Sequence, residues 1–265
     1  GAGHGSTIAD IYGNWWHAST MRISVNYDFE RRVGLFPAGF DKDGVLYCNQ
    51  NFSDYPHRIP AGKFDAASQQ PEWMLLSYKK PVTASSTAEN SSPELAVNED
   101  CRSWWSAAGA EPGEWLCVDL GKDSDVRAIQ VNMADEKLVV DFPADSYGDD
   151  RKTPHIETRP QISHYTVETS VNGTDWTTRE TVARECSNGY YEYADGIRAR
   201  YVRVTGGELP YGQLLRISGL RVFGNGEGPK PAQAEAAGAR VDALDATITW
   251  KHIENTQGCN VRYGA

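Results

Sequence analysis

Basic charge is scarce in this chain. Its 265 residues carry 26 Lys and Arg against 36 Asp and Glu, a formal net charge of −10. No basic run interrupts that balance. Nucleic acid and anionic lipid both need clustered Lys/Arg, so neither is an expected partner. Long apolar runs are also missing. No stretch approaches the ~20 residues of a membrane helix, which argues against membrane insertion. Cysteine is sparse: Cys48, Cys101, Cys117, Cys186 and Cys259. The number is odd, the spacing wide, and no C-x-x-C occurs. A zinc ribbon and a redox motif are therefore not indicated, and only isolated pairing stays open. The opening "GAGHGS" lacks the Gly-Lys-Ser/Thr that holds phosphate and magnesium. No segment keeps helical periodicity over three turns.

Aromatic residues are plentiful, with eight Trp and thirteen Tyr. They suit strands and surfaces that stack on flat ligands. Residues 1–62 are aromatic and turn-rich: "TMRISV" and "RVGLFPAGF" read as strands, and "FDKDGVLYCNQNF" as strand, Asp/Gly turn, strand. Residues 63–74, within "IPAGKFDAASQQPEW", lack periodicity and read as a connector. Over 75–225 the strands are more complete. "RAIQVNM" places Ile129, Val131 and Met133 on one face. "HYTVETSVNGTDW" alternates through Tyr165, Val167 and Thr169 into an Asn172-Gly173 hairpin signal. "ARYVRVTG" and "ISGLRVFG" follow. Many short strands with turn signals predict an all-β sandwich or barrel. "GNGEGPKPAQAEAAGA", covering 226–238, is a second linker. Residues 239–265 begin a new strand pattern with too few strands to bury its own face.

The span 81–224 resembles the coagulation-factor type C, or discoidin-like, family, whose bacterial form is carbohydrate-binding module family 32. The marks stand in order: "KPVTASSTAENSSPELAVNED", "SWWSA", "GEWLCVDLG", "YTVETSVNGTDW", "ARYVRVTG" and "ISGLRVFG". The resemblance implies a jelly-roll β-sandwich with Trp105, Trp115 and Trp176 in its core. Trp104, one residue from Trp105, would face the other way and offer a platform to a sugar ring. The polar stretch "DFPADSYGDDRKTPHIETRPQISHY" reads as a long loop, with Tyr147, His155 and Arg159 as candidate contacts.

The same resemblance implies a structural calcium held by Ala96, Asn98, Asp100, Ser103 and Gly219. Asn98 stands where Asp is usual and Gly219 where Glu is common, so two negative charges are lost. Calcium prefers six to eight oxygens, and weaker affinity is expected.

Residues 1–62 resemble the last blade of the five-bladed propeller in glycoside hydrolase family 43, entered through its Gly-x-Gly-His turn. The tail "ITWKHIENTQGCNVRYG" resembles the start of a fibronectin type III-like domain. By that resemblance His4 would help hold a cation at the propeller centre, and Arg31 or Arg32 would contact sugar at the catalytic centre. The paired carboxylates of an inverting glycosidase would come from earlier blades, against which 1–62 would pack. Asp10, Asp41 and Asp43 do not replace them, since Asp41–Gly44 is a hairpin signal.

The expectation is the accessory end of a secreted or periplasmic arabinofuranosidase- or xylosidase-type enzyme, truncated at both ends and inactive alone. No signal-peptide pattern is visible. The rival is a non-catalytic cell-surface lectin or adhesin. Membrane attachment by exposed apolar spikes is opposed by the acidic balance, and the sandwich could also serve only as a structural brace.

Overall fold

Four short strands follow one another at the start: β1 (Gly3–Ala9), β2 (Trp15–Met21), β3 (Arg32–Phe40) and β4 (Leu46–Cys48). They form one antiparallel sheet in chain order. The computed structural model describes residues 3–21, 32–49, 54–134, 159–185, 188–226, 232, 234–242 and 245–254. The chain divides into two units, Gly1–Gly226 and Glu227–Ala265.

Turn chemistry closes the small sheet. Between β3 and β4 the Asp41 carboxylate accepts from the N–H groups of Asp43 and Val45, and Gly44 supplies a φ of 77°, as the Asp/Gly signal predicts. Between β1 and β2 the Asp10 carboxylate accepts from the backbone N–H of Tyr12 and Asn14, the Asn14 amide and the Trp16 indole at 2.8–3.0 Å. Burial pushes the Asp10 pKa up, but these bonds favour the anion and bring it down to about 2. A lowered native pKa contributes stability above the unfolded value of 3.8 and withdraws it as pH falls toward 2. We expect the stability gap between wild type and Asp10→Asn to be constant above about pH 5 and to narrow steadily below it. Urea melts at stepped pH test this; a gap unchanged down to pH 2 would contradict it.

Eight strands build the larger body: β5 (Met74–Leu75), β6 (Val82–Ala84), β7 (Trp105–Ser106), β8 (Trp115–Met133), β9 (Ser163–Ser170), β10 (Thr177–Arg184), β11 (Asn188–Gly206) and β12 (Arg216–Gly226). β8 and β11 are long, and each passes through two layers. Residues 115–119 of β8 pair with 201–205 of β11, while β6 and β9 extend that layer on either side. Residues 124–132 of β8 pair with 188–199 of β11 and with β12, which carries β5 and β7. Register shifts in β11 between Glu192 and Ile197 and between Ala199 and Tyr201 mark the bend. Such bulges let one strand turn from one layer into the next. The core lies between the layers: Leu116, Val118 and Leu120 face Ile129, Val131, Met133, Ile217, Leu220 and Val222 in one cluster. The fold is all-β, a discoidin-like sandwich.

Two of the three expected core tryptophans differ. Trp105 is 0% exposed, and its indole donates to the Ser86 carbonyl and the Thr87 hydroxyl at 3.2 Å. Trp115 is only half-buried. It opens β8 one residue before Leu116, so alternation puts it on the face away from the core. Trp176 is half-buried too, with the Arg203 guanidinium 4.0 Å from its ring centroid and Glu168 holding Arg203 at 2.8 Å. It is a cation–π partner on the outer face. The Asn172-Gly173 signal forms a turn, but across residues 171–176 rather than two. Ser170 Oγ accepts from the N–H of Asn172 and Gly173, and Asn172 Oδ1 from Thr174 and Asp175.

The segment between the sheets is firmly tied. Phe64 packs on Trp16 with ring centroids 5.1 Å apart, and its N–H donates to Asn14 Oδ1 at 3.0 Å. Further along, Trp73 packs with Ala128 and Phe223, joined by Tyr55 and Leu75. Arg221 donates to Glu99 through Nε at 3.0 Å and Nη2 at 2.8 Å, and to the Asp54 carbonyl at 2.9 Å. The stretch read as a bare connector is therefore stapled to both sheets.

In the second unit, β13 (Ala236–Asp242) and β14 (Asp245–Trp250) form an antiparallel hairpin. Every residue of β14 is exposed, so that strand buries no face.

Candidate functional site

The register of one strand pair builds the site. β7 and β12 are antiparallel, with Trp105 opposite Ile217 and Ser106 opposite Arg216. Opposed residues share a face, and the face reverses at each step. Trp105 and Ile217, both 0% exposed, point into the core. Ser106 and Arg216 point the other way, and continued alternation sends Trp104 with them. All three line a pocket of about 440 Å³, with Glu89, Asn90 and Arg102 around them.

The opposite wall is the loop 88–91. The Ala88 N–H donates to the Ser106 carbonyl at 2.9 Å, and the Ser106 N–H donates to Ser91 Oγ at 2.9 Å. Asn90 turns the loop with a φ of 62°, a conformation Asn tolerates better than most residues. Arg216 forms the floor. It is 9% exposed, and its Nε and Nη1 are buried without a hydrogen-bond partner. Burying a cation without a counterion is costly. Arg221 shows the contrast: with a side chain 6% exposed, it is matched by Glu99 and Asp54. Arg216 lines the pocket, but its Nε and Nη1 are enclosed by protein.

Trp104 lies in the wall, half-buried rather than fully exposed. Arg159 is exposed, its carbonyl accepts from Gln161 Nε2 at 3.2 Å, and it does not line this pocket. Tyr147, His155 and Arg31 lie outside the described residues, as does the side chain of Arg32, which opens β3. His4 is exposed on β1 with a φ of 52°.

The five positions matched to calcium sit close in the fold but are engaged with protein groups. The Asn98 amide donates to Ser103 Oγ at 2.8 Å while its Oδ1 accepts from the Asp100 N–H at 2.8 Å. Asp100, the one carboxylate of the set, accepts from the backbone and guanidinium of Arg102, and hydrogen bonds from these groups lower its pKa. Ala96 is buried, and Gly219 packs against the Asn132 amide. One carboxylate already turned to a guanidinium is a poor donor set for a dication. As arranged here these residues do not fit calcium.

Arg216 and Glu89 are absent from the sequence-based candidates. A signal for Arg216 exists, since it and Arg221 are charged residues in a largely buried strand. Its meaning requires the register with β7, which no local pattern shows.

Residues 95–204 match the F5/8 type C family model described as NedA-like, galactose-binding domain. No curated protein matches the chain. Among solved structures, a chitosan-binding module 1 from a chitosanase/glucanase of Paenibacillus sp. IK-5 aligns at 22% identity and a TM-score of 0.42, over 57% of this chain and 99% of that one. The family 32 module of C. perfringens NanJ, solved in complex with galactose, aligns at 17% identity and 0.41, over 57% and 97%. A structure titled glycoside hydrolase aligns at 17% identity and 0.41, over 84% of this chain and 46% of that one. Residues 95–204 thus carry the match to an F5/8 type C, discoidin-like domain.

Proposed function

We propose that the sandwich binds carbohydrate through the Trp104–Arg216 pocket, in an accessory region of a secreted glycoside hydrolase of arabinofuranosidase or xylosidase type. The observation that carries the binding reading is one pocket lined by the half-buried Trp104 together with the polar side chains of Asn90, Ser106 and Arg216. Sugars offer axial C–H groups to an aromatic face and hydroxyls to fixed donors. Pockets of this kind orient a ligand with a few polar groups against an apolar surface.

The enzyme context rests on the resemblance. Its support is the antiparallel meander β1–β4 in chain order, the form of a single propeller blade, preceding the sandwich. The hairpin β13–β14 after the sandwich accords with the start of a fibronectin type III-like domain. A lectin or adhesin would use the same pocket. Three acidic residues on upstream blades would favour the enzyme, and their absence the lectin.

Trp104→Ala is expected to cost stability only on the order of 1 kcal/mol, as a half-buried side chain on the outer face. A central aromatic anchor contributes about 2 kcal/mol or more to binding, so Kd for a recognised galactoside should rise about thirtyfold. Thermal melting and glycan-array binding of the variant check both parts. A stable variant that binds like wild type would remove Trp104 from the site.

A further inference from the structure

The outer face of one sandwich layer is only half covered. Register sets two rows across it: Tyr190, Gln130 and Arg221 stand opposite one another, and so do Glu192, Ala128 and Phe223. Their neighbours Ile129, Val131, Leu220 and Val222 face the core, so both rows face outward. Over one half, the Tyr55 ring packs on Phe223 at 5.4 Å, and Trp73 packs on Ala128 and Phe223. The other half is open, with Glu192 exposed and Tyr190 44% exposed. Met21, Val33 and Leu35 of β2 and β3 supply a further wall, and the pocket so formed measures about 450 Å³. Sites for small ligands span roughly 300–1,000 Å³. This pocket shares no described residue with the one at Trp104. Tyr55, Trp73 and the small sheet also lie outside the matched span 95–204, so a module of that span alone would not carry it.

The polar groups here are mostly acceptors. Glu192 accepts from the Tyr190 hydroxyl at 3.1 Å and keeps further lone pairs. His57 Nδ1 lies 3.1 Å from the Tyr55 carbonyl, which only accepts, so Nδ1 carries the proton and Nε2 is the acceptor of the neutral ring. Gln130 gives its Oε1 to Arg221 Nη1 at 3.0 Å, which leaves its NH2 to donate. Three carboxylates, Asp54, Glu72 and Glu192, line the pocket against one guanidinium, Arg58, which Glu72 holds at 2.6 Å. That balance opposes an anionic ligand. Nor does it call for a cation, since Asp54 is paired with Arg221 at 3.1 Å and Glu192 is screened by solvent. Acceptors beside an exposed aromatic ring suit a molecule with many hydroxyl donors and apolar ring faces. We propose that this pocket is a second carbohydrate site, taking a neutral oligosaccharide whose ring packs on Tyr190 and whose hydroxyls donate to Glu192 and His57. It goes beyond the Trp104 pocket and does not depend on it.

The methionines give a direct reporter: Met21 lines this pocket, Met133 is buried in the core and Met74 is exposed on β5. The test labels the methionine methyls of the full chain with carbon-13. It then titrates with xylotetraose, arabinotetraose and galactotetraose up to about 10 mM, enough to reveal even a millimolar site. The Met21 signal is expected to shift saturably with at least one of them while Met133 holds. Tyr190→Ala should raise the fitted Kd at least about tenfold, as loss of an aromatic anchor does. Tyr190→Phe, which keeps the ring, should bind close to wild type, and an unmoved Met133 signal shows that each variant is folded. Trp104→Ala should leave the Met21 titration within about twofold, as distant sites act independently. No Met21 shift with any of the three sugars, a shift unaltered by Tyr190→Ala, or one lost in Trp104→Ala would overturn the proposal. So would tighter binding, read at Met21, of tetragalacturonate or of a glucosamine tetramer. The Trp104 pocket is decided separately, by its own variant on the glycan array.

Discussion

Replacing Arg221 with Ala should destabilise the Gly1–Gly226 unit by about 3–5 kcal/mol, the cost of breaking a buried ion pair from one side. The Arg221 side chain is 6% exposed. Its fork grips both oxygens of Glu99, and Nη1 reaches the Gln130 amide oxygen at 3.0 Å and the Asp54 carbonyl at 2.9 Å. The guanidinium also lies 5.1 Å from the Tyr55 ring centroid and 4.9 Å from that of Phe223. Asp54 is nearly half exposed and contributes little through charge. Most of the loss comes from stranding Glu99, whose side chain is 27% exposed. Adding Glu99→Gln to Arg221→Ala should therefore recover part of the stability. Urea unfolding of both singles and the double closes the cycle. An Arg221→Ala variant within about 0.5 kcal/mol of wild type would show that the cluster holds nothing.

Trp105→Ala should cost about 3–5 kcal/mol, as large-to-small changes at fully buried aromatics do. The indole fills the core between the layers, and its N–H has two acceptors, Ser86 and Thr87. Truncation leaves a cavity beneath the pocket floor and two acceptors without their donor. Trp115→Ala should cost clearly less, about 1–2 kcal/mol, because Trp115 is half-buried on the outer face. The order of the two melting temperatures is the readout. Equal losses would mean that Trp115 packs as deeply as Trp105.

These tryptophans also show how far the sequence could be read. Strand positions followed from period-two alternation, as with Ile129, Val131 and Met133, since a sheet with one buried face imposes that pattern. Alternation separated Trp104 from Trp105 as well, because they are adjacent. At Trp115 the size of the side chain misleads, because Leu116 and Val118 carry the core phase. The place of Trp176 depends on Arg203, which is distant in sequence. Arg216 and Arg221 were invisible for a related reason. Their roles depend on which carboxylates and strands lie across the sheet, and only register supplies that. The residue types at Asn98, Asp100 and Ser103 suggested a cation loop, but their hydrogen bonds to one another and to Arg102 decide what they do.

The two long strands carry a mechanical consequence. Because β8 and β11 each run unbroken through both layers, the layers share covalent backbone along their common edge. They cannot slide past each other or peel apart without bending those two strands further. A pull on residues of β9 or β10 is passed through β11 to the layer that carries β12 and the pocket floor. The pocket floor is thereby tied to the far side of the molecule by two continuous stretches of main chain.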